Sequence, residues 1–200
     1  MTATKEHILR TALILFLQKS YRDVTMSEIV EKTGLSKGAF YHYFKGKEEL
    51  FREIVNLFLS MGSVNYEHFS KESLELFFHQ YIEHLDASMQ QLASLVSESG
   101  SGSLNFNFFF IMFEAASRFP DFLEQELQIY KKDLEVWKER IAEARKKGEI
   151  RSVSGDEELA RLFLFCNDGV FIRFLNDEKK GQFRDYLEET YQTIYNNIKS

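Results

Sequence analysis

The stretch that decides the fold is Thr25–Leu50, TMSEIVEKTGLSKGAFYHYFKGKEEL, which predicts two short helices, a tight turn between them and the start of a third helix. Thr25 stands three residues before Glu28, the spacing of a capping box at a helix N-terminus. Gly34 lies between the helices, where a tight corner requires a left-handed backbone. Ser36 has a side-chain oxygen that caps the second helix. Short helices joined in this way by about 3–4 residues are typical of a helix-turn-helix.

The second helix, Ser36–Phe44, divides into two faces. Phe40 and Phe44 are neighbours at i and i+4, on the side that we expect to pack against the first helix. The opposite side carries a cation, two aromatic residues that form hydrogen bonds and two small residues: Lys37, Tyr41, His42, Gly38 and Ala39. Such a face suits the major groove of DNA, so the pattern predicts a DNA-binding motif over residues 25–44. The alternative is an ordinary surface helix of a helical bundle, which seldom exposes tyrosines beside glycine.

The N-terminal segment also resembles the TetR-type (TetR/AcrR) bacterial transcriptional regulators. Positions that match the family's motif in register are Ile8-Leu9, Ala12, Phe16, Tyr21, Thr25, Ile29, Gly34-Leu35-Ser36, Gly38, Tyr41, Tyr43-Phe44-Lys45, Lys47 and Leu50. Ser20 departs from the family, which commonly has a glycine that closes the first helix. Serine is less favourable than glycine in a left-handed C-cap.

The resemblance implies an all-α protein of about nine helices in two domains. Residues 1–62 would form a three-helix DNA-binding domain, and residues 63–200 a larger helical domain for regulation, ligand binding and dimerisation. The residues expected to meet DNA are Thr25, Ser36, Lys37, Gly38, Ala39, Tyr41, His42, Tyr43 and Lys47. We expect Lys37 to reach the O6 and N7 atoms of guanine, and Lys47 to contact a phosphate at the start of the following helix.

Composition supports a helical, intracellular protein. The 200 residues include only one proline and ten glycines, and apolar residues recur at helical spacing nearly throughout. The longest apolar runs, residues 12–17 and 108–113, contain six residues each, far fewer than the roughly 20 residues that span a membrane. A single cysteine and the lack of a secretory leader pattern are typical of a reducing compartment. We expect a cytoplasmic protein that associates with the nucleoid when it is bound to DNA, and no membrane partner.

The charge is distributed unevenly along the chain. The net charge is −6, but residues 1–47 contain eight Lys and Arg against four Asp and Glu, which gives +4. The remaining residues therefore carry −10. This asymmetry is expected if only the N-terminal part meets phosphates.

The last two helices predict an interface between two copies of the chain. Two helices at a chain terminus commonly pair with their symmetry mates in a four-helix bundle, and in the family they form the dimer interface. The final helix carries an apolar stripe that a monomer would leave partly exposed, which usually marks an interface. The residues expected there are Phe163, Val170, Phe174, Phe183, Leu187, Tyr191, Ile194 and Ile198.

The chain contains 20 phenylalanines, several of them in the segment Leu104–Phe119, which is apolar nearly all round and predicts a buried helix. Most of these residues are expected to fill a core. The family resemblance implies a ligand cavity, which aromatic residues and methionine would line. The residues proposed for it are Tyr81, His84, Phe109, Met112, Phe113, Trp137 and Asn167.

The resulting hypothesis is a homodimeric transcriptional repressor that a small, largely apolar ligand releases from a palindromic operator on double-stranded DNA. An activator or a regulator without a ligand would fit the same residues. A helical module that binds lipid or peptide would share the apolar body but would not need the basic, capped N-terminal motif. An enzyme is the weakest option, because no glycine-rich phosphate loop, nucleophile elbow or pair of catalytic carboxylates occurs at a recognisable spacing. We expect no catalytic residue, no metal and no cofactor.

Overall fold

The computed structural model describes residues 2–97, 107–176 and 182–200, with the side chains of residues 95–97 outside that description. These residues contain nine α-helices: α1 (Ala3–Gln18), α2 (Met26–Thr33), α3 (Lys37–Tyr43), α4 (Lys47–Gly62), α5 (Leu74–Ser97), α6 (Asn107–Arg118), α7 (Pro120–Lys146), α8 (Asp156–Asn176) and α9 (Phe183–Ile198). The predicted all-α fold is confirmed. The glycine- and serine-rich segment 100–103, which the sequence predicts to be a flexible linker, and the helix start predicted at Leu104 lie outside the described residues.

Proline and glycine mark both ends of α7. Pro120 is its first residue, a position where the missing N–H of proline has no helical partner to lose. Gly148 follows its last turn with φ 75°. The amide of Gly148 donates to the carbonyl of Arg145, and that of Glu149 to the carbonyl of Ala144. These two bonds are the pattern of a Schellman C-cap, which satisfies the last carbonyls of the helix.

The chain packs into two compact units. The first comprises Met1–Gly62 and Gln91–Glu124, and the second comprises Ser63–Gln90 and Gln125–Ser200. Within the first unit, α6 packs against α1 and α4. The N-terminal segment of this unit ends at the boundary predicted after residue 62, but residues 91–124 also belong to it. The assignment of DNA binding to residues 1–62 and regulation to residues 63–200 stays a prediction.

Lys47 anchors the turn after α1 to the start of α4. Its Nζ donates to the carbonyl oxygens of Tyr21 at 2.8 Å, Arg22 at 3.4 Å and Val24 at 2.6 Å. The ammonium group also lies 4.4 Å from the centroid of the Tyr21 ring. Partial burial lowers the pKa of Lys47, and the nearby Arg118 lowers it further. A lysine ammonium has three N–H donors, and all three are used inside the protein.

The structure gives Lys47 an anchoring role within the protein, and its contact with a DNA phosphate stays a prediction. A phosphate contact would require Lys47 to give up a hydrogen bond to a backbone carbonyl. Its acceptors are 23 to 26 residues away in the sequence, so local pattern does not reveal this role.

The end of α1 shows how Ser20 replaces a helix-closing glycine. The C-cap residue is Lys19, which has an extended backbone with φ −137° and ψ 159°. The Ser20 hydroxyl donates to Oδ2 of Asp23 at 2.6 Å, and the Ser20 carbonyl accepts from the amides of Asp23 and Val24. The helix therefore ends without a left-handed residue at its C-cap, and serine closes the following turn with its side chain and carbonyl.

Helix α6 is not buried all round, contrary to the sequence expectation. Phe108, Ile111 and Ala115 form its buried stripe, whereas Phe110 is 60% exposed and Phe113 is 68% exposed. One face of the helix packs within the first unit. The helix has more apolar residues than one packed face can bury, so some of them remain exposed.

The second unit has an aromatic core. The Trp137 ring contacts Phe77 at 4.9 Å, Phe163 at 4.8 Å and Tyr81 at 5.2 Å between centroids. Trp137 and Phe163 are fully buried, and Tyr191 donates a hydrogen bond from its hydroxyl to the carbonyl of Phe163 at 3.0 Å. Such edge-to-face and stacked contacts stabilise a core beyond the area that they bury.

Glu149 joins the start of α5 to α9 within the second unit. Its carboxylate accepts from the amide of Leu74 at 2.8 and 3.0 Å and from that of Glu75 at 3.3 Å. The Tyr195 hydroxyl donates to the same carboxylate at 3.1 Å. A carboxylate at a helix N-terminus satisfies amides that have no helical partner and interacts favourably with the helix dipole.

Asp133 is a buried carboxyl group in the same unit. It is 7% exposed, and its Oδ1 atom has no hydrogen-bond partner among the described residues. Burial raises the pKa of Asp133 to about 6, although the positive charge of Lys132 opposes the shift. The folded protein therefore holds this proton more tightly than the unfolded chain does.

We predict that Lys47→Ala lowers the free energy of unfolding by about 1–3 kcal/mol, because it removes charge-assisted hydrogen bonds to the turn after α1. The measurement is urea denaturation followed by circular dichroism. Lys32→Ala is the control, since Lys32 is exposed and has no ion-pair partner in the described part of the chain. Equal stability of the two variants would contradict the anchoring role.

A second prediction concerns pH. Because the pKa of Asp133 is raised on folding, its contribution to stability is lost as pH increases from about 4 to about 6. Asp133→Asn removes this ionisation. The free energy of unfolding of the variant, relative to that of the wild type, should therefore be about 1–3 kcal/mol higher at pH 8 than at pH 4.5. Urea denaturation at both pH values measures the change. A stability difference that does not depend on pH would refute it.

Candidate DNA-binding interface

The first helix of the motif, α2, begins as the sequence predicts. Thr25 is exposed and has an extended backbone, and its Oγ1 accepts a hydrogen bond from the amide of Glu28 at 3.2 Å. The Glu28 carboxylate pairs with the Nζ of Lys19 at the end of α1. The capping residue therefore fixes the start of α2, while the acidic residue of the predicted capping box links α2 to α1.

The turn between α2 and α3 depends on Gly34. Its backbone is left-handed, with φ 67° and ψ 7°, as predicted. A Cβ atom there would meet no atom within 4 Å, so the backbone conformation rather than lack of space requires glycine. The preceding carbonyl, that of Thr33, lies 3.0 Å from Nε2 of His7 on α1. The corner is thereby held against the first helix.

The second helix of the motif, α3, presents the predicted face to solvent. Ser36 caps it by accepting from the amide of Ala39 at 3.2 Å. Phe40 and Phe44 are almost completely buried, as expected. On the other side lie the exposed residues Lys37, Gly38, Ala39, Tyr41 and His42, with Tyr43 half-buried. The structure therefore brings together on one short exposed helix six of the nine residues predicted to meet DNA, with Thr25 and Ser36 exposed at the two helix starts.

Gly38 is not required by the fold of the protein itself. A Cβ atom at this position would meet nothing within 4 Å, and its φ is not in the left-handed region. Glycine in a helix is nevertheless less favourable than alanine, by at most about 1 kcal/mol, the value for a helix interior. A position where glycine is unfavourable for folding and faces open space is suited to close approach by another molecule.

The cations around the motif differ in how they are used. Lys5 pairs with Glu53, and Lys45 donates from its Nζ to the carbonyl of Tyr41 at 2.6 Å. Lys37 is exposed and has no ion pair or side-chain hydrogen bond among the described residues. Arg22 is also exposed and has no ion-pair partner within that part of the chain. The charge of Lys37 is therefore fully available on the outer face of α3.

The residues predicted to line a ligand pocket divide between the two units. Tyr81 and Trp137 are almost completely buried in the core of the second unit, where His84 and Asn167 are half-buried. The other three, Phe109, Met112 and Phe113, lie on α6 in the first unit. A single pocket inside the second unit therefore does not include the α6 residues. Burial lowers the pKa of His84.

The residues predicted for the dimer interface are mostly core residues. Phe163, Leu187 and Tyr191 are completely buried within the second unit, and Phe183 and Ile198 nearly so. Val170, Phe174 and Ile194 are half-buried. The prediction that this stripe is exposed in a monomer is wrong, because it packs against the helices of its own unit. Periodicity identifies an apolar face but not the surface that covers it.

Sequence reasoning missed a second apolar face on α8. Leu162 is 44% exposed, Phe165 is 56% exposed and Ile172 is 45% exposed. Gly169 lies on the same face and is also exposed, with open space where a Cβ would be. The sequence does contain a signal, because α8 has apolar residues on two faces. One face, with residues 159, 163 and 164, packs into the core of the second unit. The other, with residues 162, 165 and 172, remains exposed.

Within the described residues, no three or more His, Cys, Asp or Glu side chains are grouped so that they could hold a metal ion. None of the helices that the structure describes is both long enough and apolar enough to cross a bilayer.

Comparison with known families assigns the motif. Residues 8–54 match the family model described as "Bacterial regulatory proteins, tetR family". This range begins in α1, ends in α4 and contains the whole of α2 and α3. It therefore covers the elements that position the exposed face of Lys37 and Tyr41.

Similar proteins include one that matches nearly the full length. The chain is 26% identical over 194 residues, 92% of this chain and 90% of the relative, to the "Uncharacterized HTH-type transcriptional regulator YfiR" of Bacillus subtilis (strain 168). It is 45% identical over 53 residues, 26% of this chain and 28% of the relative, to the "HTH-type transcriptional regulator QacR" of Staphylococcus aureus. The QacR match therefore spans less than a third of that protein.

The fold also matches solved structures. The crystal structure of the MbdR regulator from Azoarcus sp. CIB has a TM-score of 0.67 at 22% identity and covers 97% of this chain and 98% of its own. A TetR family transcriptional regulator from Agrobacterium tumefaciens has a TM-score of 0.64 at 11% identity, with 99% and 98% coverage. These structures share the fold of the whole chain, and the sequence matches cover its DNA-binding motif. Residues 8–54 are therefore a DNA-binding domain of the TetR family of bacterial regulators, in a chain that has the fold of TetR-family transcriptional regulators.

Proposed function

We propose that this regulator is a homodimeric repressor that binds a palindromic operator and leaves it when a small, largely apolar molecule binds. The observation that carries the proposal is the outer face of α3, where Lys37, Gly38, Tyr41 and His42 are exposed while Phe40 and Phe44 hold the helix in place. Because these two buried side chains fix the helix in the domain, its exposed side chains can contact the edges of bases in a defined position.

In this proposal α3 enters the major groove. Lys37 lies in the first turn, and its unpartnered ammonium group reaches the O6 and N7 atoms of guanine. Tyr41 and His42 lie one turn further on and contact bases or phosphates. Thr25 and Ser36, at the starts of the two helices, lie at the rim of this surface and contact the DNA backbone.

A second copy of the chain provides the second α3. Two recognition helices about 34–36 Å apart would read half-sites one turn of DNA apart, which makes the operator a palindrome. The exposed face of α8, with Leu162, Phe165 and Ile172, supplies the apolar surface for dimerisation. Gly169 on that face allows two helices to approach closely.

The repressor role has support from relatives. The "HTH-type transcriptional repressor NemR" of Escherichia coli is 42% identical over 45 residues, 22% of this chain and 23% of the relative. A ligand would release the operator only if it bound the form that is unable to span both half-sites more tightly than the form that spans them.

Selection of bound DNA from a random pool tests the proposed function. We expect enrichment of a palindrome with half-site centres about 10 base pairs apart. Lys37→Ala should lose preference at one position per half-site by about 1–3 kcal/mol, which separates base reading from a phosphate contact. A reporter gene placed downstream of the selected site should be expressed less when the protein is present. Failure to enrich any sequence would contradict DNA recognition, and increased expression would contradict repression.

We predict that Gly38→Ala separates folding from DNA binding. The substitution should leave stability unchanged or raise it by up to about 1 kcal/mol, because alanine is the better helix former and fits the open space. It should weaken operator binding about tenfold or more, because the added methyl group lies where the backbone of α3 approaches DNA. Urea denaturation and fluorescence anisotropy with the selected DNA measure the two effects.

The matched control is Gly62→Ala, at the end of α4, where a Cβ also meets nothing within 4 Å. Gly62→Ala should leave operator affinity unchanged, and its effect on stability should be no larger than that of Gly38→Ala. Unchanged operator affinity in Gly38→Ala would show that α3 does not approach DNA closely at this position.

The dimer is tested on the exposed face of α8. We expect the double variant Phe165→Glu, Ile172→Glu to be a folded monomer that binds the operator weakly, because both side chains are exposed in the single chain. Leu187→Glu should instead unfold the protein, since Leu187 is completely buried. Sedimentation velocity at micromolar concentration and circular dichroism distinguish these outcomes. A wild-type monomer, or a double variant that remains dimeric, would overturn the assignment.

A further inference from the structure

We propose that a cleft in the first unit, between the end of α1, α4 and α6, is the effector site and takes a small, uncharged aromatic molecule. This inference rests on the proposed ligand response and gives it a location and a ligand class. It places the site among the helices that support the DNA-binding motif, rather than among the aromatic residues of the second unit.

The cleft has the size and lining of a small-molecule site. Its volume is about 460 Å³, within the range of roughly 300–1,000 Å³ for such sites. Apolar side chains form most of its surface: Phe16, Tyr21, Phe51, Phe110, Ile111 and Phe113. All of these belong to the first unit. Phe16, Tyr21 and Phe51 contact one another with ring centroids 4.7 to 5.7 Å apart, so they form a continuous aromatic wall.

Another part of the lining is apolar surface that is exposed to water. Phe113 remains 68% exposed although it lies at the cleft, and the neighbouring Phe110 is 60% exposed. A molecule in the cleft would cover part of both rings. Exposed aromatic side chains beside a concave surface are typical of ligand sites, since covering them is favourable by itself.

The charges at the rim favour an uncharged ligand. Lys19 lines the cleft and is paired with Glu28, while Glu114 lines it and is paired with Arg118. One positive and one negative side chain, each already compensated, give no net attraction for an ion. The other polar lining residues are Gln18, Ser20 and Asn107, which carry amide and hydroxyl groups. These groups suit a ligand with a single hydroxyl, amine or carbonyl substituent.

Tyr21 connects the cleft to the DNA-binding motif. Its ring forms part of the cleft wall and also contacts the ammonium group of Lys47, and its carbonyl accepts from the same group. Lys47 begins α4, three residues after Phe44 closes α3. The guanidinium of Arg118 on α6 lies 4.0 Å from the Tyr21 ring centroid. A ligand that moves Tyr21 therefore acts on the anchor that holds the motif against α4.

The binding step is tested with two fluorescent probes that share one ring system. N-phenyl-1-naphthylamine is uncharged and aromatic, whereas 8-anilinonaphthalene-1-sulfonate adds a negative charge. We expect the uncharged probe to bind one molecule per chain and more tightly than the sulfonate. Phe113→Ala should weaken its binding about tenfold by removing part of the cleft wall. Leu123→Ala is the control, because Leu123 is 53% exposed in the same unit but does not line the cleft.

Equal binding of the uncharged probe by Phe113→Ala and the wild type would overturn the location, and tighter binding of the sulfonate would overturn the ligand class. Both titrations are made without DNA, so they judge the cleft even if no operator is found. The regulatory step is then tested by measuring affinity for the selected DNA with and without saturating probe. We expect weaker operator binding in the wild type and no probe effect in Phe113→Ala at the same probe concentration. Unchanged operator affinity in the probe-saturated wild type would overturn the effector role.

Discussion

The DNA-binding motif depends on one half-buried cation that binds backbone carbonyls of the protein itself. The ammonium group of Lys47 donates hydrogen bonds to three backbone carbonyls of the turn after α1 and lies against the ring of Tyr21. Carbonyls in such a turn have no regular helical partner, so they require another donor or water. By supplying that donor from the first residue of α4, the chain fixes where α1, the turn and α4 meet. The position of the short helix α3, which directly precedes α4, depends on this junction.

The local geometry of the motif could be predicted from the sequence because each feature depends on residues close together in the chain. Thr25 and Ser36 cap amides three residues away, and Gly34 takes the left-handed conformation that its position in the corner requires. The two faces of α3 follow from helical periodicity alone. For the same reason the all-α fold was predictable, and Pro120 and Gly148, which mark the limits of α7, are local signals of the same kind.

What the sequence did not reveal are contacts between residues that are distant along the chain. The acceptors of Lys47 precede it by 23 to 26 residues, and nothing local distinguishes an anchoring lysine from one that meets phosphate. An apolar stripe such as that of Leu187 and Tyr191 is compatible with a core or an interface, and here it forms the core. The apolar surplus of α6 and α8 was visible in the sequence. Which of these apolar residues remain exposed depends on how the helices pack, and periodicity does not specify that packing.

The outer face of α3 has a consequence for how this regulator can diverge. The side chain of Lys37 has no partner within the described protein, and the space beside Gly38 is open. Substitutions at these positions therefore alter little of what holds the fold together, in contrast to changes at Phe40 or Lys47. Under the proposed function, operator preference and fold stability are encoded by different residues of the same seven-residue helix and its supports. After gene duplication, two copies could acquire separate target sites by a few substitutions while both continue to fold.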